Sequence, residues 1–193
     1  VMDRDENPKS VHDWCIANGF PTFVCHVRHP SEVPSMLREL GKAVERSEAA
    51  EAFAQAVERA LLAAPATGKR TGLPLIWLRP LMAANGTTYA GNMLACAGFN
   101  VPDIEPDGTG YPEVSPQIIV ENGVTDVFLS SEPHEFTNEE GESLAEAFRA
   151  LTDAPPDIHF IDGEDLTWMG SRTAEALERL SQRLNDVAGR AVP

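Results

Sequence analysis

The side chains best equipped for chemistry fall in three short runs. The first lies within residues 73–99, LPLIWLRPLMAANGTTYAGNMLACAGF. There an apolar stretch ends in Trp77, Arg79, Pro80 and Met82 before the small polar Gly86, Thr87 and Thr88. The second is Ser131-Glu132-Pro133-His134-Glu135-Phe136, and the third is DGEDLTWMGSR, with Trp168, Ser171 and Arg172. Indole rings offer broad apolar faces and guanidinium groups planar donor forks, which suits recognition of a large, flat or anionic ligand. An enzyme would instead draw on His134, Glu132 and Asp162. The sequence holds no Gly-X-Ser-X-Gly elbow, no Walker loop and no dinucleotide fingerprint. GTTYAG could cradle a phosphate, but Thr87 and Thr88 are more simply a helix cap.

CHVRH offers three residues of metal-ligating type, Cys25, His26 and His29. On a strand, Cys25 and His26 point to opposite faces, so they do not converge on one ion. We read a buried cysteine and two rim histidines, with no metal site and no cofactor. The acidic run Glu139, Glu140, Glu142 reads as the solvated start of a helix, where negative charge is favourable.

The elements that must position these residues follow from periodicity. A helix is expected over residues 8–18, with Asn7 as its cap, Pro8 in its first turn and Gly19 as its stop. Trp14 is expected to pack that helix onto a sheet. TFVCHV, residues 22–27, reads as a strand. Val33, Met36, Leu37, Leu40 and Val44 recur at helical spacing, predicting one continuous helix over residues 31–47. A second, alanine-rich helix follows from about Glu48 to Ala63, then the polar linker PATGKRTG. Beyond it, strands at 73–78, 126–130 and 158–161 alternate with helices at 88–97, 115–122, 138–151 and 171–187. FNVPDI reads as a short strand or extended connection. The last helix presents Ala174, Leu177, Leu180 and Leu184 on one face. Alternation of this kind predicts an α/β fold with a parallel sheet covered on both faces. All three reactive runs then lie beyond the carboxyl ends of strands, where such sheets bind ligands.

Composition bounds the partners. The 193 residues carry 30 acids against 15 bases, a formal charge of −15, which argues against a nucleic-acid partner. Hydrophobic residues make up 42%, enough for a packed core. The three cysteines, Cys15, Cys25 and Cys96, are too scattered for a disulfide framework.

The order of motifs resembles a known family. LIWLRPLMAANGTTYAGNMLACAGFNV, then YPEVSPQIIVENGVTDVFLSSEP, then IDGEDLTWMGSR is similar to the carboxyl lobe of the class III, or TroA-like, periplasmic substrate-binding proteins. These have a helical backbone and serve ABC importers as receptors for vitamin B12, ferric siderophores and related metal chelates. ENPKSVHDWCIANGFPTFV resembles the end of their amino lobe, and SEVPSMLRELGKAVE the helix joining their lobes. The resemblance implies a three-layer carboxyl lobe at 65–193 and a backbone helix plus the following helix at 31–64. Residues 1–30 would be the remnant of an amino lobe whose first part is missing. It implies a monomeric, periplasmic or envelope-anchored receptor for a cobalamin-like ligand or ferric chelate. Trp77, Arg79, Met82, Tyr89, Glu132, His134, Trp168, Ser171 and Arg172 would meet that ligand. The family often carries a permease-docking glutamate on the helix after PEVS. The equivalent position here is Gln117, with Glu113 and Glu121 nearby.

Overall fold

The computed structural model describes residues 1–66, 68–105 and 108–188, with side chains to residue 183. The amino segment is a small parallel ribbon. Strand β1 (Met2–Asp3) pairs with β2 (Val24–Cys25), and helix α1 (Lys9–Ala17) connects them. The strand expected over 22–27 is thus only two residues long, because its one partner has just two residues to offer. Asn7 does not cap α1. Its Oδ1 accepts the Asp3 N–H at 2.8 Å, and Pro8 itself takes the N-cap position. Gly19 ends the helix with a left-handed φ of 73°. No residue of α1 is buried. Trp14, expected inside, is 59% exposed and stacks on Phe20 with ring centroids 5.6 Å apart.

A 3₁₀ turn at Pro30–Glu32 leads into α2 (Val33–Ala43), followed by α3 (Ser47–Ala63). The continuous helix expected over 31–47 therefore stops early. Glu45 adopts a left-handed φ of 56°, and the chain turns back so that α3 runs along α2. Val44, which fits the apolar period, is left exposed at the bend. Close approach of the helices needs Gly41: a Cβ there would collide with that of Ala50. Arg38 fastens the pair, bonding Glu51 and Glu58 at 2.7 Å each. The Arg38 bonds to Glu51, with one from Gln55, push the Glu51 carboxyl down to about 2. α3 is the longer helix, about 25 Å at 1.5 Å per residue.

The main sheet is built from β3 (Gly72–Leu78), β4 (Leu81–Ala83), β5 (Asp126–Ser130) and β6 (Asp157–Ile161), in the order β4-β3-β5-β6. β3, β5 and β6 are parallel, as expected; β4 is an antiparallel edge strand. β4 carries no readable period because it has only three residues. The FNVPDI segment contributes a single bridge, Thr71 to Asn100, rather than a strand. The helices are α4 (Tyr89–Cys96), α5 (Pro116–Glu121), α6 (Asn138–Arg149), α7 (Gly163–Thr167) and α8 (Thr173–Ala188). Caps set their starts. Thr88 accepts from the Gly91 N–H, Ser115 from Ile118, and Thr137 forms a capping box with Glu140.

Two cores flank the sheet, giving the three layers expected of an α/β lobe. On one face Leu73, Leu75, Val127 and Leu129 pack with Ile119, Leu144 and Phe148 from α5 and α6. On the other, Phe128 and Ile161 join Met93, Leu94, Leu166 and Leu177, together with Val33, Leu37, Ala54 and Val57 from α2 and α3. Ala174, Leu177 and Leu180 line the buried face of α8, while the Leu184 side chain lies outside the described residues. At the amino ends of the strands, Asp126 is fully buried. Burial alone would raise its carboxyl, but bonds from His159, Arg70 and Thr125 outweigh that and hold it below the usual 3.8.

Candidate ligand-binding cleft

A cleft of about 830 Å³ opens where the carboxyl ends of the two sheets face each other. One wall comes from the main sheet. Ile76 lies near the end of β3, Glu132 and Pro133 follow β5, and Thr167, Trp168 and Met169 follow α7. The floor is the start of α4, Thr87 to Ala90, with Met82 of β4. The opposite wall comes from the amino ribbon: Asp3, Asp5 and Glu6 after β1, Val27 and Arg28 after β2. Thr109 and Tyr111 close one side from the connection ahead of α5.

Local sequence explains how the main wall is held. Gly163 lets α7 begin against the loop after β5. A Cβ there would approach Ser130 Oγ to 2.5 Å and the Glu132 nitrogen to 2.6 Å. The Gly163 N–H donates to Ser131 Oγ at 2.9 Å, and Ser130 Oγ donates to the Glu132 carbonyl. Asp162 accepts the Glu164 N–H and caps α7. Trp168, at the end of α7, donates its indole N–H to Glu132 Oε2 at 2.9 Å, and its ring is half exposed. The Arg172 guanidinium lies 5.3 Å from the centre of that ring. It is bonded to Glu164 and sits 3.6 Å from Asp165, which also pairs with Arg179 at 2.5 Å.

Of the expected contact residues, Met82, Tyr89, Glu132 and Trp168 line this cleft together. The Tyr89 ring forms part of the floor, but its hydroxyl shares a 2.8 Å hydrogen bond with Thr173, and burial pushes the phenol up to about 12. The others lie elsewhere. Trp77 bonds the Arg79 carbonyl through its indole N–H and meets His134 edge-on at 5.9 Å. His134 in turn contacts Phe136 and lies 3.2 Å from Glu140. Arg79 and Ser171 are exposed and outside the cleft lining, and Arg172 braces Trp168 from behind. The trio an enzyme would use is dispersed as well: Asp162 caps a helix, Glu132 holds Trp168 and His134 faces Glu140.

Sequence reasoning missed the amino wall. Asp3, Asp5, Glu6 and Arg28 are ordinary surface residue types, and nothing in their spacing sets them opposite Trp168. Tyr111 was missed too, inside a loop of prolines and glycines. Cys25, His26 and His29 do diverge, as strand geometry predicts. Cys25 Sγ donates to the Met2 carbonyl, His26 lies 3.3 Å from Asp5, and His29 caps the 3₁₀ turn. Among the described residues the one group with metal-ligand spacing is Asp126, Asp157 and His159. Arg70 already occupies it, bonding Asp126 at 2.6 Å and Asp157 at 2.5 Å.

No protein-family profile and no curated protein matches the chain. Solved structures do. The periplasmic vitamin B12-binding protein of Vibrio cholerae aligns over 98% of this chain and 74% of its own, with a TM-score of 0.71 and 14% identity. The fold is that of the class III periplasmic substrate-binding proteins. The apo periplasmic heme-binding protein from Roseiflexus sp. RS-1 aligns over 97% of this chain and 76% of its own, at TM-score 0.70 and 20% identity. A possible iron-binding periplasmic solute-binding protein from Staphylococcus epidermidis follows at 0.64 and 15%, over 91% and 70%. At these identities the likeness is one of fold.

Proposed function

We propose that the protein is a receptor that binds a metal chelate of the corrinoid, heme or ferric-siderophore kind in the cell envelope and delivers it to an ABC importer. The observation that carries this reading is the cleft. It is about 830 Å³ in volume and lies between two sheets at their carboxyl ends. Trp168, Tyr111, Tyr89, Met82 and Met169 give it broad apolar faces, and Asp3, Asp5, Glu6, Arg28 and Glu132 add charged groups. Pockets of a few hundred to about 1,000 Å³, mostly apolar with few convergent polar groups, suit non-covalent capture of a sizeable ligand. The fold supports the same reading, since structures sharing it include proteins described as binding vitamin B12, heme and iron.

Delivery needs a docking face. We assign it to the exposed edge formed by Glu113 and by Gln117 and Glu121 on α5, the last two joined by a 2.9 Å hydrogen bond. The dispersed Asp162, Glu132 and His134 favour a binding module over an enzyme. The test is a titration followed by visible absorbance and tryptophan fluorescence, with cyanocobalamin, haemin and ferrioxamine B as probes. Saturable one-to-one binding of at least one probe, with a micromolar or lower Kd, is expected. Absence of binding by all three overturns the reading.

A further inference from the structure

We propose that the cleft selects chelates that carry positive charge, or that turn neutral amide donors towards the amino ribbon, and rejects those carrying carboxylates there. The inference rests on the receptor reading above and narrows its ligand class. The cavity and its aromatic wall make the site; the charged residues set its sign. Four carboxylates line it, Asp3, Asp5, Glu6 and Glu132, against the single guanidinium of Arg28.

The partners of these groups leave the negative sign uncancelled. Asp3 Oδ1 accepts the backbone N–H groups of Asp5 and Glu6, so it is held by dipoles rather than by a cation. Glu132 accepts from the neutral indole of Trp168. Asp5 faces His26 at 3.3 Å, and that imidazole is also the acceptor of the Arg28 Nε–H at 3.1 Å. The one guanidinium of the lining is thus turned to this imidazole rather than paired with a carboxylate. Across the cleft the effect reaches Tyr111, whose phenol is pushed up first by burial and then by Glu6, Asp5 and Asp3. The first turn of α4 also faces the cleft, but a helix N-terminus supplies only about half a positive charge. The cations expected at the rim do not reverse this. Arg79 lies outside the lining, and Arg172 is bonded to Glu164. An anionic chelate would therefore lose its hydration facing like charge, which is costly in a partly enclosed site.

Two matched sets of probes test this. The first is ferrioxamine B, which ends in an ammonium group, with its N-acetyl (neutral) and N-succinyl (carboxylate) derivatives. The second is aquacobalamin, a cation at pH 6.5, against neutral cyanocobalamin. In either set that binds, the cation should bind tightest, by about tenfold over the anion or about threefold over the neutral form in low salt. The preference should shrink at 0.5 M NaCl, where screening lengths fall to a few ångströms. In the variant carrying Asp5→Asn and Glu6→Gln it should fall to within about twofold, with the circular dichroism melt unchanged. Salt dependence of the wild-type protein gives the answer even if that variant folds poorly. Equal affinities, or tighter binding of the anionic member, overturn the charge inference while leaving the receptor reading intact. If no member of either set binds and haemin does not bind, the receptor reading fails and this inference falls with it.

Discussion

Replacing Trp168 by alanine should weaken ligand binding sharply and leave the fold nearly untouched. The ring is 50% exposed and lines the cleft. A tryptophan has up to about 250 Å² to bury, so roughly 100 Å² remains for a ligand to cover, worth about 2.5 kcal/mol at 25 cal/mol per Å². Stacking on a flat chelate adds about 1 kcal/mol. Imperfect coverage reduces the sum, and a loss of about 2–3 kcal/mol, or roughly 30- to 150-fold in Kd, is the expected result. Truncation also frees Glu132 from its 2.9 Å bond and uncovers Arg172, both of which solvent can reach. Stability should therefore change by no more than about 1 kcal/mol. Trp168→Phe keeps a stacking face but loses the indole N–H, so it should fall between the two. Calorimetric titration with whichever of cyanocobalamin, haemin or ferrioxamine B the wild-type protein binds separates these effects, beside thermal melts of all three proteins. Unchanged affinity in Trp168→Ala would remove this wall from the site. A melting point lowered by more than about 5 °C would make the residue a structural one instead.

Other perturbations reach the scaffold. Arg70→Ala leaves the buried Asp126 without its cation and should cost about 3 kcal/mol, or roughly 6–12 °C in melting temperature, read by differential scanning calorimetry. Because the folded carboxyl of Asp126 is held below its usual 3.8, its contribution is present above that value and is lost as pH falls through the lower, folded value. Asp126→Asn should accordingly flatten the decline in stability below about pH 4, measured by urea unfolding as the pH is lowered. Gly41→Val should drive α2 away from α3 and destabilise the protein, visible as faster hydrogen exchange in residues 33–43, whereas Val44→Ala at the exposed bend should change little. Glu121→Lys should leave ligand affinity within about twofold while reducing transport in reconstituted importer vesicles; normal transport would take α5 out of the docking face.

How much of this was legible in the sequence depends on where each signal resides. The main lobe was readable because its signals are local. Leu73 and Leu75 alternate onto one core, Ser115 sits where a cap is needed, and Gly19 and Gly123 take the positive φ that stops a helix. What failed was decided by partners distant in sequence. β2 is short because β1 is short, and Val44 keeps the helical period although Glu45 has already turned the chain. The same division runs through the site. Placing three strand ends on one rim follows from topology, and Trp168, Glu132 and Met82 do line one cleft. It could not say which rim side chains turn into the cleft. Trp77 and His134 find each other, and Arg172 finds Glu164, through partners that neighbouring strands and helices supply. Counted by position alone, the rim tryptophans and arginines suit a large, flat or anionic ligand. Arg172 is bonded to Glu164 and Arg79 lies outside the cleft lining, so the acids of residues 3–6, with Glu132, outnumber the single Arg28. On the proposed reading the recognition chemistry is divided: the main lobe supplies the aromatic face and the amino ribbon most of the charge. A ligand's shape would be read by one and its sign by the other.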